Sequence, residues 1–203
     1  MTSISMSDST KYQFGFTTSS LRLKEMIIVA QHLVEQKEMD YVNELGNGKE
    51  KTGRSMFYEL RKRIETLTNE QRELLANGNL NEQRNIAFLA VCKTYGFIRD
   101  FVVEVLRDKC SVYDFEISTG DYFTFFHRKS DQHAEMEELS EETEKKIRQV
   151  IFKILEQAEI IDSIKYKTIQ TQFIEASVLA TIKADDVDWL KIFLISDDDI
   201  ADL

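Results

Sequence analysis

Proline is absent from this 203-residue chain, against an ordinary share of about 5%. Glycine occurs only seven times. The two residues that most often interrupt helices are therefore scarce, and long helices can run without kinks. Cysteine is almost missing too. Cys92 and Cys110 stand 18 residues apart, a spacing that matches neither a metal site nor a disulfide framework. Both are expected to be reduced, with Cys92 in the core. Long apolar runs are also lacking: the longest, Ile86 to Cys92, has seven residues, whereas a membrane span needs about 18 or more. No membrane partner is expected. The opening MTSISMSDSTKYQ has no apolar centre and does not read as a signal peptide; with reduced cysteines, a cytoplasmic location is the expectation.

Chemistry-bearing motifs are equally sparse. Gly46–Gly53, GNGKEKTG, resembles a phosphate loop, but GxxxxGK[ST] needs glycine where Asn43 stands and Ser or Thr where Glu50 stands. It reads as a flexible turn. His127 and His133 lack the third and fourth ligands that zinc requires and read as surface residues, while His32 falls at the edge of the core. Asp197–Asp199 lacks the glycine and the later glutamate of a calcium loop. The expectation is a protein with no catalytic residues, no metal and no cofactor, which binds rather than catalyses.

What is present is charge and helical periodicity. Apolar residues make up 42% and charged residues 31% of the chain, the profile of a globular protein with more charge than average. The net charge of −10 argues against a general polyanion binder, but it is unevenly placed. Residues 11–109 hold 16 Lys/Arg against 14 Asp/Glu, and residues 110–203 hold 10 against 21. A nucleic-acid surface therefore belongs mainly to the first half.

The chain divides into a loose tail at 1–12, a helical half at 13–109, a second helical half at 110–195 and an acidic tail at 196–203. Thr17–Ser20 offers N-caps for a helix reaching about Gln36. A short helix follows near Asp40–Leu45, then a basic one from Gly53 to Leu67. Thr68 opens a short helix that ends at Asn77-Gly78. Two apolar helices cover Asn81–Lys93 and Phe97–Lys109. Residues 110–120 read as irregular, and Asp121–Lys129 as an aromatic helix that forms core or stacks bases. In Ser140–Glu159, Ile147, Val150, Ile151, Ile154, Leu155 and Ala158 recur with the spacing of one helix face. Residues 160–171 are rich in β-branched side chains and suit a short strand or wing. A helix at Gln172–Ile182 and an apolar patch at Trp189–Ile195 complete the chain.

The basic helix supplies the candidate site. At about 100° per residue, Met56, Phe57, Leu60, Ile64 and Leu67 form one stripe, while Arg54, Tyr58, Arg61, Lys62 and Glu65 lie opposite. One face can be buried while cations are offered on the other. Lys49, Lys51, Arg54, Arg61, Lys62 and Arg63 are the candidates for phosphate contact; a solvated helix face is the alternative. In the second half, helix, wing and helix follow one another from Ser140 to Ile182, an order compatible with a winged-helix or helix-turn-helix variant, as well as with ordinary helical packing. Lys145, Lys146 and Arg148, with Lys165 and Lys167, are the cations there. Six glutamates between Glu135 and Glu144 oppose DNA.

Several segments in combination carry a family likeness: YQFGFTTSSLRLKEMIIVAQHL, GRSMFYELRKRIETL, AFLAVCKTYGFIRDFVVEVL, SEETEKKIRQVIFKILEQAEIID and DDVDWLKIFL. Across roughly residues 12–195 the chain resembles the BrxA family of BREX (bacteriophage exclusion) phage-defence systems. The resemblance implies an all-α, compact multi-helix fold with helix-turn-helix-like elements. It also implies a non-enzymatic accessory role among other BREX proteins, with double-stranded DNA as a partner held through its backbone. The alternative is a protein–protein adaptor that docks a basic partner through its acidic C-terminal half. Family members have also been described as inner-membrane proteins, which the apolar runs here do not support.

Overall fold

The computed structural model describes residues 11–203. Most of the expected loose tail at 1–12 lies outside the described residues. Tyr12, assigned to that tail, is buried: its ring stacks on His133 at 3.8 Å between centroids, and its hydroxyl donates to Asp100 at 2.6 Å. His133 is accordingly half-buried rather than a surface residue.

The helices are α1 (Leu23–Val34), α2 (Tyr41–Glu44), α3 (Glu50–Ile64), α4 (Asn69–Asn77), α5 (Leu80–Thr94), α6 (Gly96–Phe101), α7 (Asp108–Ser111), α8 (Thr119–Ser130), α9 (Glu141–Gln157), α10 (Ala176–Asp185) and α11 (Asp197–Ala201). The fold is all-α, and no strand or sheet occurs among the described residues. Between α6 and α7, Val102–Arg107 continues as a π-helical segment, so the expected helix at 97–109 is present but locally widened.

Boundaries follow local chemistry. Reciprocal capping boxes start α4 (Thr68 with Gln71), α5 (Asn79 with Glu82) and α8 (Ser118 with Asp121). Ser140 caps α9, whose first turn carries Glu141, Glu142 and Glu144, the charge its dipole prefers. The caps expected from Thr17–Ser20 are not used. Gly15–Thr18 forms a 3-10 turn, and α1 begins only after Arg22, at φ 54° and with no side-chain cap.

Helix α5 is the axle. Every residue from Asn85 to Cys92 is buried, as befits a helix surrounded on all sides. It packs against α1, α3, α4, α6 and α10. The π-helical stretch and the aromatic α8 extend this core, with Phe101 bridging to Tyr122, Phe125 and Phe152 at 5.7, 5.2 and 5.9 Å. Three of the four aromatics expected at 122–126 are therefore core, and only Phe123 is exposed.

The expected wing is not a strand. Residues 160–171 form a loop held by two isolated bridges, Ile161 with Ile169 and Glu116 with Thr168. Lys167 at φ 57° turns the chain before a ladder can grow. Helix α10 packs on α4 and α5 and thus does not complete a winged pair with α9. The apolar patch near the C-terminus folds back as a 3-10 helix, Val187–Phe193, burying Leu190, Ile192 and Phe193. Arg107 Nε donates to the Ile195 carbonyl at 2.7 Å and secures its end.

One buried charge joins these pieces. Arg63 is 0% exposed. Its Nε donates to Glu59 at 2.9 Å, and its two Nη atoms donate to the carbonyls of Ser20 and Ser19 at 2.7 and 2.6 Å. The guanidinium lies 5.5 Å from the centre of the Tyr95 ring, and the Tyr95 hydroxyl donates to Glu59. Removing one partner of a buried pair costs about 3–5 kcal/mol. Arg63→Ala is therefore expected to lower the Tm by about 10 °C in calorimetry, while Arg61→Ala next to it, exposed, shifts it by no more than about 2 °C. Truncation after Ala184 uncovers the face of α5 that Phe193 touches through Phe88 (6.2 Å between rings) and is expected to lower the Tm in the same assay.

Candidate nucleic-acid interface

The cations of α3 divide into three groups according to what their neighbours do with them. Lys49, Lys51 and Arg54 are exposed and form no ion pair among the described residues. Arg54 lies over the exposed Tyr58 ring, 5.9 Å from its centre. Arg61 and Lys62 are exposed but engaged. Arg61 Nε contacts Glu65 at 2.7 Å, and Lys62 donates to Gln13 and sits 5.3 Å from the centre of Tyr95. Arg63 is withdrawn altogether, because its hydrogen bonds to Glu59, Ser19 and Ser20 fill it. It is removed from the candidate surface: buried between the α3–α5 junction and the chain before α1, it meets no external phosphate. The remaining stripe matches expectation, with Leu60 and Ile64 buried, Met56 and Phe57 half-buried, and Arg54, Tyr58, Arg61 and Lys62 outside.

The N-terminal end of α3 concentrates positive charge. Lys49 occupies the capping position and supplies no side-chain cap, so the first amides carry the positive end of the helix dipole without a capping oxygen. Lys49, Lys51 and Arg54 add three formal charges there, against Glu50. Backbone packing fixes this end in space. A Cβ on Gly53 would lie 2.1 Å from the Tyr41 carbonyl oxygen, and one on Gly46 would lie 2.5 Å from that of Lys49. The loop between them turns through Asn47 and Gly48 at φ 48° and 80°. The GNGKEKTG segment is thus a close crossing of α2 over α3 rather than a flexible turn.

Lys145 and Lys146 project from the first turns of α9, and Arg148 is half-buried, its guanidinium 5.0 Å from the centre of the Phe123 ring. With Thr17, Thr18 and Gln149, the two lysines line a surface cleft of about 590 Å³ that Glu142 also enters. The segment Gln13–Leu21 lies between the two cationic groups. It is held to α3 through Lys62 and Arg63, and to α9 through Leu21 N–H, which donates to Gln157 at 3.0 Å. Lys165 lies over Tyr166, 4.8 Å from its ring centre, and Lys167 over Phe152 at 5.5 Å. Sequence reasoning missed this strap, although the alternation of Tyr12, Phe14 and Phe16 is the signal of an extended segment with one face on a core.

Among the described residues, no group of three or more His, Cys, Asp and Glu side chains could hold a metal ion, and no helix is long and apolar enough to cross a membrane. Cys92 is buried and Cys110 half-buried, and both are free thiols. Burial pushes both thiols up from their ordinary pKa, which opposes thiolate chemistry.

The described residues make an all-α protein with a cationic helix end set on a buried helical axle. The BrxA family model matches residues 10–186, and the chain belongs to the BrxA family, hence to the components of BREX phage-defence systems. No curated protein matches the chain. Among solved structures, a crystal structure of an uncharacterized protein from Magnetospirillum magneticum is similar, with a TM-score of 0.77 at 18% identity, covering 91% of this chain and 98% of that one. That likeness bears on the fold.

The α2–α3 crossing leaves no room for a side chain. Gly53→Ala is expected to lower the Tm and to open the 46–53 segment, read as faster amide exchange at Gly46–Thr52, whereas Gly48→Ala meets no atom within 4 Å and costs only the strain of its positive φ, about 1 kcal/mol.

Proposed function

We propose that this BREX component is a non-enzymatic accessory factor that holds duplex DNA by its phosphate backbone through the N-terminal end of α3. The observation that carries the reading is the coincidence, at one helix end, of uncapped amides with Lys49, Lys51 and Arg54. Such an end attracts an anion, and a phosphate there would relieve the mutual repulsion of three cations and a dipole of the same sign. Arg61 and Lys62 extend the surface along the helix, but each must leave an existing partner to reach DNA. Lys145, Lys146 and Arg148 make a weaker second contact, because Glu141, Glu142 and Glu144 share their turns. Phosphate contacts position a protein without reading sequence, and the net charge of −10 keeps the affinity modest and confined to low salt. A cytoplasmic location suits this role.

A second reading rests on the acidic half. Glu137, Glu138, Glu141, Glu142 and Asp197–Asp199 are exposed, a surface suited to steering a basic partner among the other BREX proteins. Duplex titrations at several salt concentrations separate the two. Each phosphate contact contributes about −0.9 to the log–log salt slope. The combined variant Lys49→Ala, Lys51→Ala, Arg54→Ala is expected to flatten the slope by about 2–3 units. A variant that binds with the parent's slope sinks the α3 site and leaves the adaptor reading.

A further inference from the structure

Apolar surface in the second half stays uncovered. A groove open to solvent, of about 460 Å³, is lined by Phe115, Ile169, Ile174, Leu179, Phe193 and Ile195. These residues come from the chain after α7, the loop that stands where a wing was expected, α10, and the stretch running into α11. Ile169 N–H anchors the loop there by donating to the Phe115 carbonyl at 2.7 Å, and the Asn85 amide donates to the Phe173 carbonyl at 3.2 Å. The groove has about three times the roughly 150 Å³ that accepts a benzene ring in an apolar core, room for two apolar side chains. Close to the lining in sequence, Val112, Tyr113 and Phe173 are each at least 70% exposed. Single exposed apolar residues are ordinary, but an apolar groove with more of them beside it in the chain marks an interaction site.

The charge around the groove has one sign. Asp199 is the only charged side chain in its lining. The three segments that supply most of the lining, 110–116, 169–174 and 193–203, hold six Asp/Glu and no Lys/Arg. The cations nearby are already engaged: Lys109 with Asp114, Arg107 and Lys191 with Asp197, and Lys183 with the Leu203 carbonyl at 2.6 Å. Glu116, Asp198, Asp199 and Asp202 form no ion pair among the described residues.

Charge and shape together select the occupant. Nucleic acid and an anionic membrane surface are both repelled by these carboxylates. An uncharged apolar molecule gains nothing from them. We propose that this groove docks a short amphipathic segment of a partner protein, with apolar side chains flanked by lysine or arginine. The apolar side chains enter between Phe115, Leu179 and Phe193, and the cations meet Glu116, Asp198, Asp199 and Asp202. Rim charges steer such an encounter, while the apolar anchors hold the complex. The inference rests on the second reading only in taking the partner to be basic. It moves the contact from the exposed glutamates around the start of α9 to the groove, and duplex binding by α3 plays no part in it.

The test uses the full chain and a dye-labelled peptide with the repeat Leu-Lys-Lys-Leu-Leu-Lys-Leu, whose leucines share one helix face. A second peptide carries Glu for every Lys. Saturable binding of the lysine peptide is expected by anisotropy, weaker in added salt, with none of the glutamate peptide. Phe115→Ala and, separately, Leu203→Ala are each expected to weaken it about tenfold, and Asp198→Asn with Asp202→Asn to weaken it severalfold. An unchanged Tm shows each variant folded, and exposed Leu203 keeps the test valid should Phe115→Ala unfold the protein. Cys110 lines the groove and Cys92 is fully buried, so alkylation by N-ethylmaleimide, read by mass spectrometry, reports on Cys110; the lysine peptide is expected to slow it. Binding that survives the Phe115 and Leu203 substitutions but is lost on combining Glu137→Gln, Glu138→Gln, Glu141→Gln and Glu142→Gln overturns the groove and leaves the adaptor reading standing. Equal binding of both peptides, or of neither, also overturns it. A dimer in sedimentation that protects Cys110 without peptide assigns the groove to a second copy of the chain. Protection by decanol as strong as that by the peptide assigns it to a small apolar molecule. Either result overturns the proposal.

Discussion

The guanidinium of Arg63 holds the fold's parts in register. A charge taken out of water is costly unless its hydrogen bonds are made again inside. Here a carboxylate one turn back and two backbone carbonyls make them, while an aromatic ring covers the planar face. The carbonyls of Ser19 and Ser20 belong to chain with no helix of its own, so they depend on Arg63 as much as it depends on them. A short piece of irregular backbone can thereby sit against the core without stranding its polar groups. Lysine could not replace this: one ammonium cannot span a carboxylate and two neighbouring carbonyls in a plane.

From that anchor the surface properties follow. Because Arg63 faces inward and Glu59 goes with it, the outward side of α3 is left with cations at its beginning and compensated charges at its end. The acidic second half is brought against the strap by α9, whose lysines share a cleft with Thr17 and Thr18. A molecule with strong net negative charge thus shows a local positive end, fixed by the α2–α3 crossing at Gly46 and Gly53 rather than by a mobile loop.

Much of this was legible in the residues. Helical periodicity, with Thr68 and Ser140 as starting points, located most helices to within a few residues, because local hydrogen bonding decides those boundaries. Arg63 was misplaced for an instructive reason. It stands seven residues after Met56, two turns along the same helix, so the wheel itself puts it on the buried stripe; its residue type was allowed to outweigh its position, and Glu59 four residues before was the available clue. Tyr12 and His133 could not be paired from sequence because their contact spans most of the chain. The 160–171 segment had the composition of a strand, yet strands need neighbours, and only isolated bridges were within reach.

The strap's ties also set an order of events during synthesis. Ser19 and Ser20 wait for Arg63, 44 and 43 residues later, whereas Tyr12 waits for Glu135 and Leu21 for Gln157, 123 and 136 residues later. Domains emerge N-terminal end first, and distant pairings form only after the intervening chain has closed its loop. The α1–α5 packing can therefore assemble on a partly made chain with the strap attached on one side only. The opposite edge seals once α9 has left the ribosome, so a nascent chain cut short before Gln157 would carry the cationic helix without the strap that completes its border.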